Sequence, residues 1–237
     1  MSSFLTGPVV IAAQTLRSSS ADKYHNYGEL IFANDGRAFR YAKAGELLVT
    51  GTLLQHAVED TDTENLAVAA AAIGDTSVVT TTTGTVTANE YAEGFLAVTV
   101  TPGIGDLYKV KGHIAYTTAA MTFNLFDSIR VALTTDSRID VIANPLNGVI
   151  INPASATGAP VGVAVHAIAS AEFGWVQVGG VANILNDAGS TVGTNVSASN
   201  ATAGAVEAAV TAQAAIGVAL TGITSTENGL IRLFGLL

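Results

Sequence analysis

The residues with the widest chemical range in this chain are four histidines, His25, His56, His113 and His166. A neutral imidazole ligates zinc and carries protons near neutral pH. Either use needs partners brought close, and i, i+4 pairs on a helix are the usual local sign. No two of the four stand at that spacing, so they read as ordinary surface or interface histidines. Asp60 and Asp62, flanked by Glu59 and Glu64, offer the hard oxygens that calcium takes. The stretch lacks the glycine and the distal bidentate glutamate of an EF-hand loop, and a solvated acidic link is expected instead. Gly103-x-Gly105 falls inside a hairpin pattern, whereas a dinucleotide loop must lie between a strand and a helix. No G-x-S-x-G occurs, and no serine, histidine and aspartate set is recognisable as a triad. Trp175 beside Phe173 could stack on a sugar, but a lone tryptophan in a hairpin more often packs in a core or subunit interface. The absence of cysteine excludes disulfides, thiolate nucleophiles and cysteine-held metals. No catalytic, cofactor-binding or metal-binding residue is nominated, and the chain reads as a non-enzyme.

The elements that would position such groups are strands. Glu29-Leu30-Ile31-Phe32 leads into Asn34-Asp35-Gly36, a strong hairpin signal, and Arg37 to Tyr41 alternates polar with apolar behind it. Ala44-Gly45-Glu46 then turns the chain into an expected strand over Leu47–Leu54. Ser77–Thr87 is rich in Thr and Val, whose β-branched side chains favour the pleated strand. Phe95–Val100 and Leu107–Lys111 form a hairpin across a Gly/Pro loop, and Met121–Phe126 and Arg138–Ile142 add two short strands. Ala67–Ala72 alone has helical propensity, in a run too short and weakly capped to stand as a helix. Residues 1–28 are polar and turn-rich without a sustained period, and read as an extended arm, disordered when free.

An internal repeat marks the C-terminal part. Val161-Gly162-Val163-Ala164, then Ile168, Ser170, Glu172 and Gly174, matches Ile216-Gly217-Val218-Ala219, then Ile223, Ser225, Glu227 and Gly229, at a constant offset of 55. Each copy reads as strand, turn, strand, and two such hairpins are expected to pair within one small barrel or sandwich. The two glutamates are expected to accept hydrogen bonds from local backbone N–H groups. The overall expectation is an all-β chain in four parts. These are an arm over 1–28, a β-ribbon and acidic link over 29–62, a middle β domain over 63–155, and a C-terminal barrel or sandwich over 156–237.

Composition narrows the function classes. Charged residues make up only 12% of the chain against a usual share of about 25%, while hydrophobic residues reach 49%. With so little charge to cover a monomer, part of the outside is expected to be buried against partners. The formal charge of −9, with ten scattered Lys and Arg, argues against nucleic acid, which is bound by neutralising phosphates. The longest apolar run, Leu66–Ile73, falls far below the roughly 20 residues of a membrane helix. The first twenty residues lack the positive start and the apolar core of a signal peptide, so a soluble protein made in a cytoplasm is expected.

Several stretches resemble the capsid decoration, or cement, proteins of tailed phages. They include Arg40-Tyr41-Ala42-Lys43-Ala44-Gly45 with Leu53-Leu54-Gln55, Asn65-Leu66-Ala67-Val68 leading to Ile73-Gly74-Asp75-Thr76, and Arg130-Val131-Ala132-Leu133-Thr134. Asn144-Pro145-Leu146-Asn147-Gly148-Val149, Pro160-Val161-Gly162-Val163, Gly174–Gly180 and Ala215–Leu220 continue the likeness. The resemblance implies a β-rich homotrimer on the outer surface of an icosahedral virion shell, in contact with neighbouring major capsid protein subunits and resisting the pressure of packaged DNA. It also implies an extended terminal arm reaching an adjacent subunit, and it carries over no site residues. The alternative is another virion surface component, a tail, fibre or spike protein binding a receptor or glycan.

Overall fold

The computed structural model describes residues 15–81, 84–117, 120–210 and 213–236. The chain is all-β, as its composition leads one to expect. The strands in the first part are β1 (Leu30–Phe32), β2 (Ala38–Ala44) and β3 (Leu53–Gln55). Next come β4 (Leu66–Ala67), β5 (Ser77–Thr81), β6 (Thr85–Val86), β7 (Phe95–Val100), β8 (Leu107–Gly112), β9 (Tyr116–Thr117), β10 (Ala120–Leu125) and β11 (Arg138–Ile142). The last part holds β12 (Asn147–Ile151), β13 (Pro160–Ala164), β14 (Phe173–Asn186), β15 (Asn195–Ala198), β16 (Val206–Ala208), β17 (Gly217–Ala219) and β18 (Glu227–Leu233).

Two compact units form, and their boundaries differ from those drawn on the sequence. One comprises Met1–Val58 with Leu146–Leu237, and the other is Glu59–Pro145. The ribbon expected over 29–62 is therefore not a separate part. Its strands β2 and β3 pair with β12, β13 and β14, which lie about a hundred residues later. Sequence proximity misled the division because a sheet is held by pairings of any separation.

The first unit is built as two closed barrels that share one long strand. In barrel I the neighbours run β2, β12, β3, β13 and β14, and β14 closes on β2. In barrel II they run β14, β16, β15, β17 and β18, and β18 closes on β14. The first half of β14 thus ends barrel I and the second half begins barrel II. The changeover is at Gly179–Gly180, where pairing with Ala38 ends and pairing with Leu233 begins. Gly180 has φ +81, and a Cβ there would lie 2.9 Å from both the Arg37 Cα and the Gly36 carbonyl oxygen, so only glycine fits this crossing. Closure pairs both edges of each five-stranded sheet, and the short β1 lies outside it as an edge strand on β2.

The two barrels are copies of one another. Gly162 pairs with Leu54 and Val163 with Leu53, while Gly217 pairs with Val196 and Val218 with Asn195. Val163 faces Gln177 as Val218 faces Arg232. One barrel maps onto the other at offsets of 142 for β2 and β3, 57 for β12, and 55 for β13 and the start of β14. The fall from 142 to 57 is the second unit, inserted between β3 and β12. In barrel II the matching connection spans only Ser199–Ala205. The expectation that both repeated hairpins share one barrel is corrected. They have matching conformations but serve two barrels.

Four turns of one shape tie the copies together. Leu48 and Ile168 exchange backbone hydrogen bonds of 2.9 and 3.1 Å, and Ser190 and Ile223 do the same at 3.0 and 2.8 Å. In the first pair the Gly51 N–H donates to the Ala164 carbonyl and the Ala171 N–H to the Ala44 carbonyl. In the second the Gly193 N–H donates to Ala219 and the Thr226 N–H to Asn186. Gly51, Ala171, Gly193 and Thr226 all have positive φ, between 66° and 82°. The expected strand over Leu47–Leu54 is accordingly broken, since its first half is one of these turns.

The inward faces of both barrels merge into one core. It includes Ala42, Leu53, Val161, Val176 and Val178 of barrel I, and Ile184, Val196, Val206, Ile231 and Leu233 of barrel II. Each buried Val, Leu or Ile contributes about 1.5–3 kcal/mol relative to exposure. The second unit has its own core around Leu96, Tyr108, Met121, Phe123 and Ile139. Six of its strands form one sheet in the order β4, β11, β7, β8, β10 and β5, and β6 pairs with β9. A bridge between Val68 and Thr80 joins the two ends. The alanine run at 67–72 is extended, because bridges from Val68 to Thr80 and from Ala71 to Leu133 outweigh its helical propensity.

Candidate functional site

The groups capable of chemistry are dispersed, and several are engaged in structural contacts. His113 is buried, accepting at Nε2 from the Tyr91 N–H (3.0 Å) while Nδ1 lies 2.9 Å from the Ile114 carbonyl. That pattern fixes the neutral tautomer and leaves no lone pair for a metal. His56 Nδ1 lies 2.6 Å from the Ala57 carbonyl, and its ring packs over Gly158. His25 Nδ1 meets Glu29 Oε1 at 3.1 Å, and its ring stands 5.0 Å from both Tyr41 and Trp175. His166 has both ring nitrogens closed off from solvent. Burial lowers its pKa, with Arg17 acting in the same direction and a Ser18 backbone group opposing. Among the described residues no three His, Asp or Glu side chains gather as a metal site.

The acidic link forms a single 3-10 turn over Thr61–Thr63. Asp60 accepts from the Asp62 N–H at one oxygen and from the Tyr91 hydroxyl (2.9 Å) at the other. Glu64 is raised above the usual carboxylate pKa, first by its hydrogen bond to Glu59 and then by that neighbour's charge. Gly103 and Gly105 lie in the β7–β8 hairpin with positive φ, as a turn there requires. A shallow depression of about 460 Å³ in the second unit is lined by Thr76, Asn89, Lys111, His113, Ile114 and Asn124. Its histidine is already engaged at both nitrogens.

Trp175 is no sugar platform. It is 0% exposed, packed edge-on against Tyr41 (centroids 5.1 Å apart) in a cluster with Phe39 and Phe173. This cluster lies on the outer face of barrel I, and residues 15–33 cover it. Ser20 and Phe173 exchange backbone hydrogen bonds, the Tyr24 N–H donates to the Tyr41 hydroxyl, and Tyr27 stacks on Phe173. The Ser19 hydroxyl donates to the Glu172 carboxylate. That glutamate therefore holds the segment, and does not bond local backbone N–H groups as expected. The arm expected over 1–28 is corrected over residues 15–28, which dock on the barrel because Leu16 and Tyr27 pack on the aromatic cluster and the His25 ring stands against Tyr41 and Trp175. Its first part, 1–14, lies outside the described residues.

No family model matches the chain, and neither the curated proteins nor the solved structures yield a match.

Large apolar side chains stand exposed on both units, among them Ile73, Ile104, Ile114 and Phe126 of the second unit and Val192, Leu230 and Phe234 of barrel II. Among the described residues no helix is long and apolar enough to cross a membrane.

Proposed function

We propose that this protein is a structural component of a tailed-phage virion, binding copies of itself and the outer surface of the icosahedral shell, where it bridges major capsid protein subunits. The observation that carries the reading is apolar exposure on a chain poor in charge. Ile73, Ile104 and Ile114, on connections of the second unit, are 69%, 66% and 68% exposed. Isolated apolar residues on a surface are ordinary, but three large ones on tips, in a chain with 12% charge, suit burial against a partner. The sequence stretches that resemble decoration proteins give the partner its identity. Closed, inter-registered barrels also suit a part that must bear load without opening an edge. A fibre or spike needs reach along a repetitive shaft, and two barrel copies do not provide one.

The test is co-sedimentation with purified shells that lack the protein. Saturable binding at a fixed ratio to the major capsid subunit is expected, weakened at least tenfold by Ile104→Asp or Ile114→Asp. Absence of sedimentation with shells, or recovery on tails or glycan resin instead, would overturn the reading.

A further inference from the structure

The duplication of the barrels allows one face to be judged against its twin. On barrel I the outward positions of β2 and β14 are Phe39, Tyr41, Phe173 and Trp175. All are buried beneath residues 15–33, Tyr41 and Trp175 to 0% exposure. At the equivalent outward positions of barrel II stand Val181, Asn183, Asn228 and Leu230, by the shared pairing of Trp175 with Tyr41 and of Leu230 with Asn183. These are bare. Val181 and Leu230 are each 43% exposed, and beside them Leu220 is 40% and Phe234 52% exposed. Arg232 lies within this patch with its guanidinium 6.0 Å from the Phe234 ring centroid.

Among the described residues barrel II has no covering segment of its own, and its first strand follows directly from barrel I through Gly180. The described segment of that kind, residues 15–33, is already in use on the twin. We infer that the outer face of β14, β18 and β17 around Leu230, Arg232 and Phe234 is the surface on which a second copy of this chain docks. Charge selects that occupant. The patch has a cationic centre in Arg232, while the chain as a whole is acidic, at −9 with 19 Asp and Glu against 10 Lys and Arg, so a copy can supply a carboxylate to Arg232. This inference rests on the proposed self-association and assigns a place to it.

The experiment measures mass by light scattering at micromolar concentration, with melting temperature, for the full chain and for Leu230→Asp, Phe234→Asp and Val192→Asp. Val192 is 68% exposed on a turn of barrel II and serves as the control. The expected result is an oligomer for the parent and Val192→Asp, and monomers for the two face variants with unchanged melting. Leu230→Asn and Phe234→Ser repeat the test should an aspartate prevent folding. Face variants that keep the parent mass would overturn the assignment while leaving self-association in place elsewhere. Face variants that stay oligomeric but no longer sediment with shells would also overturn it, giving the surface to the shell. A parent that is monomeric throughout would remove the self-association reading itself.

Discussion

Trp175 and Leu230 occupy the same position in two copies of one barrel, 55 residues apart, yet the first is fully buried and the second 43% exposed. The backbone around them is alike. Among the described residues, what differs is that a segment lies on top of the first and none on top of the second.

The repeated glycines can be tested by volume. A Cβ at Gly174 would come within 2.7 Å of Ile168 Cδ1, and one at Gly229 within 2.2 Å of Ile223 Cδ1. Valine at either site must displace a buried isoleucine, which costs about 1–3 kcal/mol by overpacking. Gly222→Ala, with nothing within 4 Å, is the neutral control. Urea midpoints should fall for both valine variants and stay put for the alanine. An unchanged midpoint at both sites would reject the packing account.

The turn residues predict the opposite sign. Ala171 and Thr226 have φ +66, where Gly51 and Gly193 sit in the other two turns. A non-glycine residue there carries about 1–2 kcal/mol of steric strain. Glycine loses more freedom on folding, which offsets part of the relief. Ala171→Gly should therefore raise stability by up to about 1 kcal/mol, read as a higher urea midpoint. A lowered midpoint would mean that the turn is not strained.

Residues 15–28 should behave as fold. The Ser20 and Gly28 amides donate to Phe173 and Tyr41 carbonyls at 3.1 and 2.9 Å. Hydrogen exchange should find both amides protected, with Tyr27→Ala lowering that protection. Exchange at the rate of an open chain would restore the free-arm expectation.

Acid should loosen the same region. His166 has a folded pKa below its ordinary 6.5, first because it is buried. Its contribution to stability is thus present above pH 6.5 and is lost as pH falls through the lowered value. The groups facing it are Arg17, whose charge disfavours a second cation, and the Ser18 backbone, which favours the protonated ring but is outweighed by burial. His166→Gln should flatten the fall in stability just below pH 6.5, measured by urea titration at stepped pH. An identical pH profile in the variant would rule out this histidine as the cause.

Much of this was legible beforehand. The β2 hairpin followed from Asn34-Asp35-Gly36, and Arg138–Ile142 was read to its ends because alternation and flanking turns agreed. The offset of 55 revealed two of the four turns, since Ile168 and Ile223 keep the same side chain. The other two were hidden. In one, Asn186 donates to Ser190 (2.8 Å) inside the core, where Ala44 and Leu48 stand in its counterpart. A polar pair replacing an apolar one preserves the backbone and erases the sequence pattern. The covering role of residues 15–28 was missed because its anchors, Leu16, His25 and Tyr27, are spaced for contact with another sheet and follow no helix or strand period. The bare face of barrel II became visible only once its covered twin was known.

The central claim, that this protein stabilises a shell by bridging its subunits, is tested most directly by calorimetry of purified shells with and without saturating protein. The account predicts a higher disruption temperature for the decorated shells, returning to the bare value with Ile104→Asp or Ile114→Asp. A shell that disrupts at the same temperature with the protein bound, or that binds none, would contradict it.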